Sequence, residues 1–209
     1  MSSDWSSDVC SSDLLDFEAG LGKTATAYAA AMEAINNKGA KKVLVVAPSG
    51  PAGDFYNQRE TFLTPDMQKF VKNSAKQSAK RRKALHQSSP DDGPMIHIVT
   101  QDSLREDKDL LKEAGYDMVV VDEIHEMTAG TGQSARYKAL QQLEDVPMKI
   151  GMSGTNIKNG KEELYRKINF IDPGHTLGSM NEFKNKYKGL NQGTGIFSDA
   201  ANDAFRKEM

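Results

Sequence analysis

Short apolar runs alternate with longer stretches of mixed polarity along most of the chain. "KKVLVVAP" (Lys41 to Pro48), "MIHIVT" (Met95 to Thr100), "YDMVVVDE" (Tyr116 to Glu123) and "MKIGMSGT" (Met148 to Thr155) each read as a strand. The unbroken apolar run in the third suits a strand buried on both faces. "LLDF" (Leu14 to Phe17) is a candidate remnant of a first strand. Helical patterns lie between these runs: the Ala-rich Thr24 to Asn37, then Ser103 to Ala114, Ser134 to Leu143 and Glu162 to Phe170. Strands alternating with helices predict an α/β domain, with a mainly parallel sheet, right-handed crossovers and helices on both faces. No internal repeat is visible. From Gly174 onward the pattern weakens, with a loop at Gly189 to Gly195 and a polar helix or frayed tail at the end.

Composition narrows the class only a little. A length of 209 residues fits one domain or slightly more. A net charge of −2 carries no global nucleic-acid signature. No apolar run approaches the ~20 residues that span a bilayer, and the acidic, polar N-terminus does not read as a secretory signal. Cys10 is the single cysteine and has no internal partner. The expected location is the cytoplasm of a bacterial or phage-infected cell.

"DWSSDVCSSDL", from Asp4 to Leu14, reads as one frame of a common short-read sequencing adapter. The alternative is a natural disordered Ser/Asp tail. On the adapter reading, residues 1–14 are disordered and foreign to the gene. Without Asp4, Asp8 and Asp13 the net charge moves from −2 to +1.

Two clusters carry chemistry. In "GLGKT" (Gly20, Leu21, Gly22, Lys23, Thr24), followed by Ala25, the glycines let backbone N–H groups turn toward phosphate oxygens. The helix that follows directs its positive end to the same place. Lys23 suits the β- and γ-phosphates of ATP, and the Thr24 hydroxyl suits Mg²⁺. The full phosphate-loop pattern has Gly where this chain has Phe17. In "VVVDEIH", two carboxylates end a buried strand. Asp122 is placed to hold Mg²⁺ and Glu123 to activate water. A buried acid is costly without a metal or a partner, and ligands of open parallel sheets sit at the carboxyl ends of the strands.

With "MSGTNIKNGKEELYRKINFIDP" added, the chain resembles the superfamily 2 helicases and translocases, and within them the Swi/Snf-like double-stranded DNA translocases. "FEAGLGKT", "VLVVAPSGPAGDFYNQ", "IVTQDSL", "VVVDEIH" and the Met152 segment resemble that family's motifs I, Ia, Ib, II and III, in that order. The resemblance implies a single RecA-like P-loop domain over 15–175, with 176–209 beginning the connection to a second lobe. It implies that His125, Ser153, Gly154 and Thr155 couple the nucleotide site to that lobe and to DNA. It offers Ser49, Gly50, Lys158 and Asn159 as nucleic-acid contacts, although a plain turn explains Ser49 and Gly50 equally well. The chain departs from the family at Phe17, usually acidic, and at Asn156, usually Pro. Nothing resembles motifs IV to VI, so a truncated chain with weak turnover is expected.

The basic run from Lys69 to Gln87 invites a DNA-binding reading, but a solvated helix face, capped by Ser74 or Ser78, fits it better. His86, His97 and His175 lack partners at zinc spacing. Two rivals stand beside ATP-driven movement on double-stranded DNA: a P-loop ATPase acting on protein, and a non-hydrolysing DNA-binding or scaffold module of a restriction, methylation or phage system.

Overall fold

The alternation along each strand sorts its side chains onto two opposite faces. On the second strand, Val43, Val45 and Ala47 face one way and Leu44 and Val46 the other, and all five are buried. The computed structural model describes residues 12–16, 22–89, 91, 93–130, 134–154, 161–174 and 176–187. Among them run β1 (Ser12–Asp16), β2 (Lys42–Ala47), β3 (Val71–Asn73), β4 (Met95–Thr100), β5 (Met118–Val121) and β6 (Met148–Ser153). Every pairing is parallel, and the strand order is β1-β6-β5-β2-β4-β3.

The helices are α1 (Lys23–Lys38), α2 (Pro51–Asn57), α3 (Arg59–Phe62), α4 (Pro65–Gln68), α5 (Ala79–Gln87) and α6 (Gln101–Glu106). They continue with α7 (Lys108–Leu111), α8 (Ile124–Thr128), α9 (Ala135–Gln141), α10 (Lys161–Ile171) and α11 (Met180–Lys186). On one face α1 and α2 bring Ala27, Tyr28, Ala31 and Phe55 against Val43, Ile96 and Val120. The small alanines let α1 lie close to the sheet, and the buried Tyr28 hydroxyl donates to the Phe55 carbonyl at 2.8 Å. On the other face α6 to α10 bring Leu104, Ile124, Leu140 and Phe170 against Leu44, Val99 and Val121. Helices on both faces of a parallel sheet are the expected layers.

Several boundaries differ from the sequence reading. Ser12, Asp13 and Leu14, expected to be disordered, pair with Lys149, Ile150 and Gly151, so the first strand begins ahead of "LLDF". The physical reason is a free edge of β6, whose backbone groups need partners whatever side chains the neighbour carries. The helix expected over Ser103 to Ala114 is two, broken at Asp107, whose carboxylate receives Arg82 at 2.6 and 3.1 Å. β3 is three residues long, too short for a periodic signal. Past Gly174, Ser179 and Glu182 close a capping box that starts α11. The loop expected at Gly189 to Gly195 and the polar helix or frayed tail expected after it lie outside the described residues. Ser78, not Ser74, caps α5.

Ser74 instead belongs to a buried polar string. Its hydroxyl lies 2.7 Å from His97 Nε2, and the Tyr116 hydroxyl lies 2.8 Å from both His97 Nδ1 and His86 Nδ1. His86 Nε2 ends 3.5 Å from Asp107 Oδ2, too long for a full hydrogen bond. Lys42 Nζ donates to the carbonyls of His86 and Ala114 beside it.

Candidate active site

The carboxyl ends of β5 and β6 and the start of α1 meet at one place. Asp122 stays in line with the sheet, its N–H donating to the Val46 carbonyl at 2.8 Å. The next residue leaves it. Glu123 has φ 49° and ψ 49°, the one non-glycine residue with positive φ among the described residues. That conformation costs roughly 1–2 kcal/mol and turns the chain abruptly into α8. The Glu123 N–H donates to Asp122 Oδ1 at 3.0 Å, bracing the two acids against each other.

Glu123 is the hub. Its Oε1 is ion-paired with Lys23 Nζ. Its Oε2 accepts from the Gly154 N–H at 3.3 Å and lies 3.2 Å from His125 Nδ1. His125 Nδ1 is also 3.1 Å from the Ser153 hydroxyl. Burial pulls the Glu123 carboxyl upward, but Lys23, the Gly154 N–H and His125 together outweigh it and hold Glu123 below the ordinary range. Asp122 goes the other way. Burial pushes it up to about 6, against the opposing charge of Lys23. Adjacent acids therefore differ: one is an ionised acceptor, the other a buried carboxyl well suited to a cation.

The start of α1 is open to an anion. Gly22 takes a left-handed conformation, φ 89° and ψ 24°, and no side chain caps the helix. Its first turn holds no acid and begins with Lys23. Thr24 and Ala25 are half-buried in that turn. Gly20, Leu21, Thr155, Lys158 and Asn159 lie outside the described residues. Gly50 is exposed, and Ser49 donates to Asp102 Oδ2 at 3.3 Å, with Arg136 3.5 Å from the other oxygen of Asp102.

Three supporting residues escape sequence reading. Gln101, buried at the head of α6, donates its amide to the Asp122 carbonyl at 3.1 Å and reaches the Glu123 carbonyl at 3.5 Å. Its place directly after the β4 strand was the available signal. Gly151 gives Ile124 room: a Cβ there would stand 2.8 Å from Ile124 Cδ1 and 3.1 Å from Leu14 Cδ1. Arg166 of α10 donates to the carbonyls of Thr128 and Gly130, at 2.7 and 2.6 Å, and so fixes the far end of α8.

The profile of the SNF2-related domain matches residues 3–200. The chain belongs to the SNF2-related domain family. As a member, it is similar to the Sulfolobus solfataricus SWI2/SNF2 ATPase core in complex with dsDNA, with a TM-score of 0.73 and 25% identity, over 94% of this chain and 38% of that one. It is 28% identical to the probable ATP-dependent DNA helicase CHR12 of Arabidopsis thaliana over 82% of its own length and 15% of that protein's. It is 27% identical to the RAD54-like DNA repair and recombination protein of Gallus gallus, over 71% and 20%. The RNA polymerase-associated protein RapA of Pseudomonas aeruginosa gives 27%, over 84% and 18%. This SNF2-related chain thus spans a fifth or less of the curated relatives named here. No helix among the described residues is long and apolar enough to cross a membrane.

Proposed function

We propose that the chain is the ATP-binding lobe of a translocase that moves on double-stranded DNA by hydrolysing ATP. The observation that carries this reading is the convergence of Lys23, Gly154 and His125 on Glu123, beside the buried Asp122. ATP is the substrate: its phosphates suit the uncapped start of α1, with Gly20, Leu21, Gly22 and Ala25 around them and Lys23 on the β- and γ-oxygens. Mg²⁺ suits the donor set of the Thr24 hydroxyl and the Asp122 carboxylate, both hard oxygens. When bound, that ion supplies charge to the phosphoryl oxygens.

The chain's own residues do the rest. Glu123, held ionised by its neighbours, accepts the proton of the attacking water at a carboxylate oxygen. The Gly154 N–H and His125 hold the same carboxylate, so a change at the γ-phosphate alters the turn that begins at Ser153. Ser153, Gly154 and Thr155 carry that change toward a second lobe and DNA, and Ser49, Gly50, Lys158 and Asn159 contact the DNA backbone. The similarity to a probable ATP-dependent DNA helicase and to an ATPase core in complex with dsDNA supports this choice over an ATPase acting on protein. The intact set of Lys23, Asp122 and Glu123 speaks against a non-hydrolysing module.

The test is binding of a fluorescent ATP analogue with Mg²⁺, followed by ATP turnover with and without duplex DNA. The chain alone should bind the analogue weakly and turn over little, and Lys23→Ala should abolish binding. Equal binding by Lys23→Ala sinks the reading of the site. Strong DNA-stimulated hydrolysis by these residues alone sinks the reading that a second lobe is needed.

A further inference from the structure

The basic run from Lys69 to Gln87 does not behave as one surface. Arg82 is buried against Asp107 and Glu106, while Lys80 and Lys83 stand exposed on α5. Lys69, Lys72 and Arg81 line a hollow of about 410 Å³ together with Arg59 of α3. A second hollow, about 530 Å³, is lined by Ser49, Gly50 and Lys76 among others. Tyr56, Asn73 and Gln77 line both. The two are one groove, running from the carboxyl end of β2, around the edge strand β3, to the first turn of α5.

Among the described residues, no carboxylate lines either hollow. Two of the lining cations have an acid beside them: Glu60 is 3.0 Å from Arg59 Nη2, and Asp66 is 3.9 Å from Lys69 Nζ. Both are well exposed, where ion pairs are weak. Arg59 is already ordered. Its guanidinium stacks on the Tyr56 ring, 3.9 Å from the centroid, and Nη1 donates to the Tyr56 carbonyl at 2.9 Å. Lys72 Nζ is held by the Lys69 carbonyl at 2.7 Å. Cations fixed in this way lose less freedom when an anion arrives.

The geometry points to this groove as a second track for the phosphodiester backbone of a polynucleotide, continuing over the sheet edge from Ser49 and Gly50. This inference rests on the DNA reading above and extends it to Arg59, Lys69, Lys72, Lys76 and Arg81. Four of the five cations line the hollow under Arg59 and Lys76 lines the adjoining one, so the positive charge extends across both hollows toward Ser49 and Gly50, as a chain of phosphates requires. An acidic protein segment would want apolar anchor pockets. In the hollow under Arg59, Val71 and Leu85 are the only aliphatic residues among the described ones that line it, and the rest of that lining is polar or charged apart from the Tyr56 ring.

The experiment is fluorescence anisotropy of a labelled duplex with the whole chain, from about 50 to 200 mM salt. The variant carries Lys69→Gln, Lys72→Gln and Arg81→Gln together, all three exposed side chains. It should bind at least about tenfold more weakly at low salt. The slope of log K against log salt should shrink by about 2 to 3. The charge-keeping variant Lys69→Arg, Lys72→Arg, Arg81→Lys should restore both. If the unvaried chain binds no duplex, the DNA reading and this extension both fall. If it binds and the Gln variant matches it in affinity and slope, only the extension falls. A labelled acidic peptide that binds the unvaried chain and loses affinity in the Gln variant, with duplex binding unmoved, also overturns the extension and assigns the groove to a protein.

Discussion

Lys23 and Glu123, a hundred positions apart in sequence, are ion-paired at the head of the sheet. The lysine opens α1 and the glutamate stands directly before α8, so the pair ties together the starts of two helices on opposite sides of the sheet. Both side chains are largely covered, 14% and 23% exposed, so the pair is shielded from salt more than a surface pair is.

A double-mutant cycle should measure the tie. Lys23→Met and Glu123→Gln, singly and together, should show a coupling of about 1–2 kcal/mol in urea unfolding. In Lys23→Met the Glu123 carboxyl loses a partner that holds it low, so it should titrate at higher pH than in the parent chain. Additive single effects would mean that the pair contributes nothing.

Gln101 should matter more than its polar character suggests. Gln101→Leu keeps the bulk but leaves the Asp122 carbonyl without its amide donor. A lost buried hydrogen bond of this kind costs about 1–3 kcal/mol. The measurements are urea unfolding and binding of an ATP analogue. A loss of nucleotide affinity larger than the loss of stability would show that Gln101 positions the acids, and an unchanged affinity would reduce it to a packing residue.

Gly151→Ala tests the seat of α8. The added methyl must displace Ile124 or Leu14, and overpacking of this kind costs about 1–3 kcal/mol. Pairing it with Ile124→Val, which removes the clashing methyl, should recover part of the loss. If the double variant is no more stable than Gly151→Ala alone, the clash lies elsewhere.

The buried histidine string sets a pH dependence. Burial, with His86 and Lys42 nearby, lowers His97 to about 3, whereas an unfolded His titrates near 6.5. Between those values the unfolded chain binds the extra proton. Stability is therefore full above about pH 6.5 and falls with acid, by about 1.4 kcal/mol per pH unit from His97. Urea midpoints from pH 7.5 down to 5 should show this fall, and His97→Gln should make it shallower, leaving the part from His86, which burial also lowers. A flat profile in the parent chain would refute the assignment.

The sheet and the acids were readable because their signals are local. An unbroken apolar run followed by Asp122 and Glu123 announces a buried strand with chemistry at its end. The helix over Thr24 to Asn37 needed only its alanines and the absence of a breaker. What escaped reading depends on neighbours distant in sequence. β3 has three residues and is defined by pairing with β4. Asp107 breaks a helix because Arg82 claims its carboxylate. Gln101 and Gly151 look ordinary until Asp122 and Ile124 are set beside them. The basic run read as a single face because spacing alone does not tell a buried arginine such as Arg82 from Arg81, its exposed neighbour.

Among the described residues β1 lies at the sheet's edge, with β6 as its one strand neighbour, and Asp16 stands in register with Ser153. Adjacent strands are about 4.8 Å apart. A displacement of the end of β1 would thus reach the backbone of Ser153 across a single ladder of hydrogen bonds. The hydrophobic interior need not repack for that signal to pass. Such a shift would then be confined to one narrow strip of backbone, with the rest of the sheet as its rigid mount.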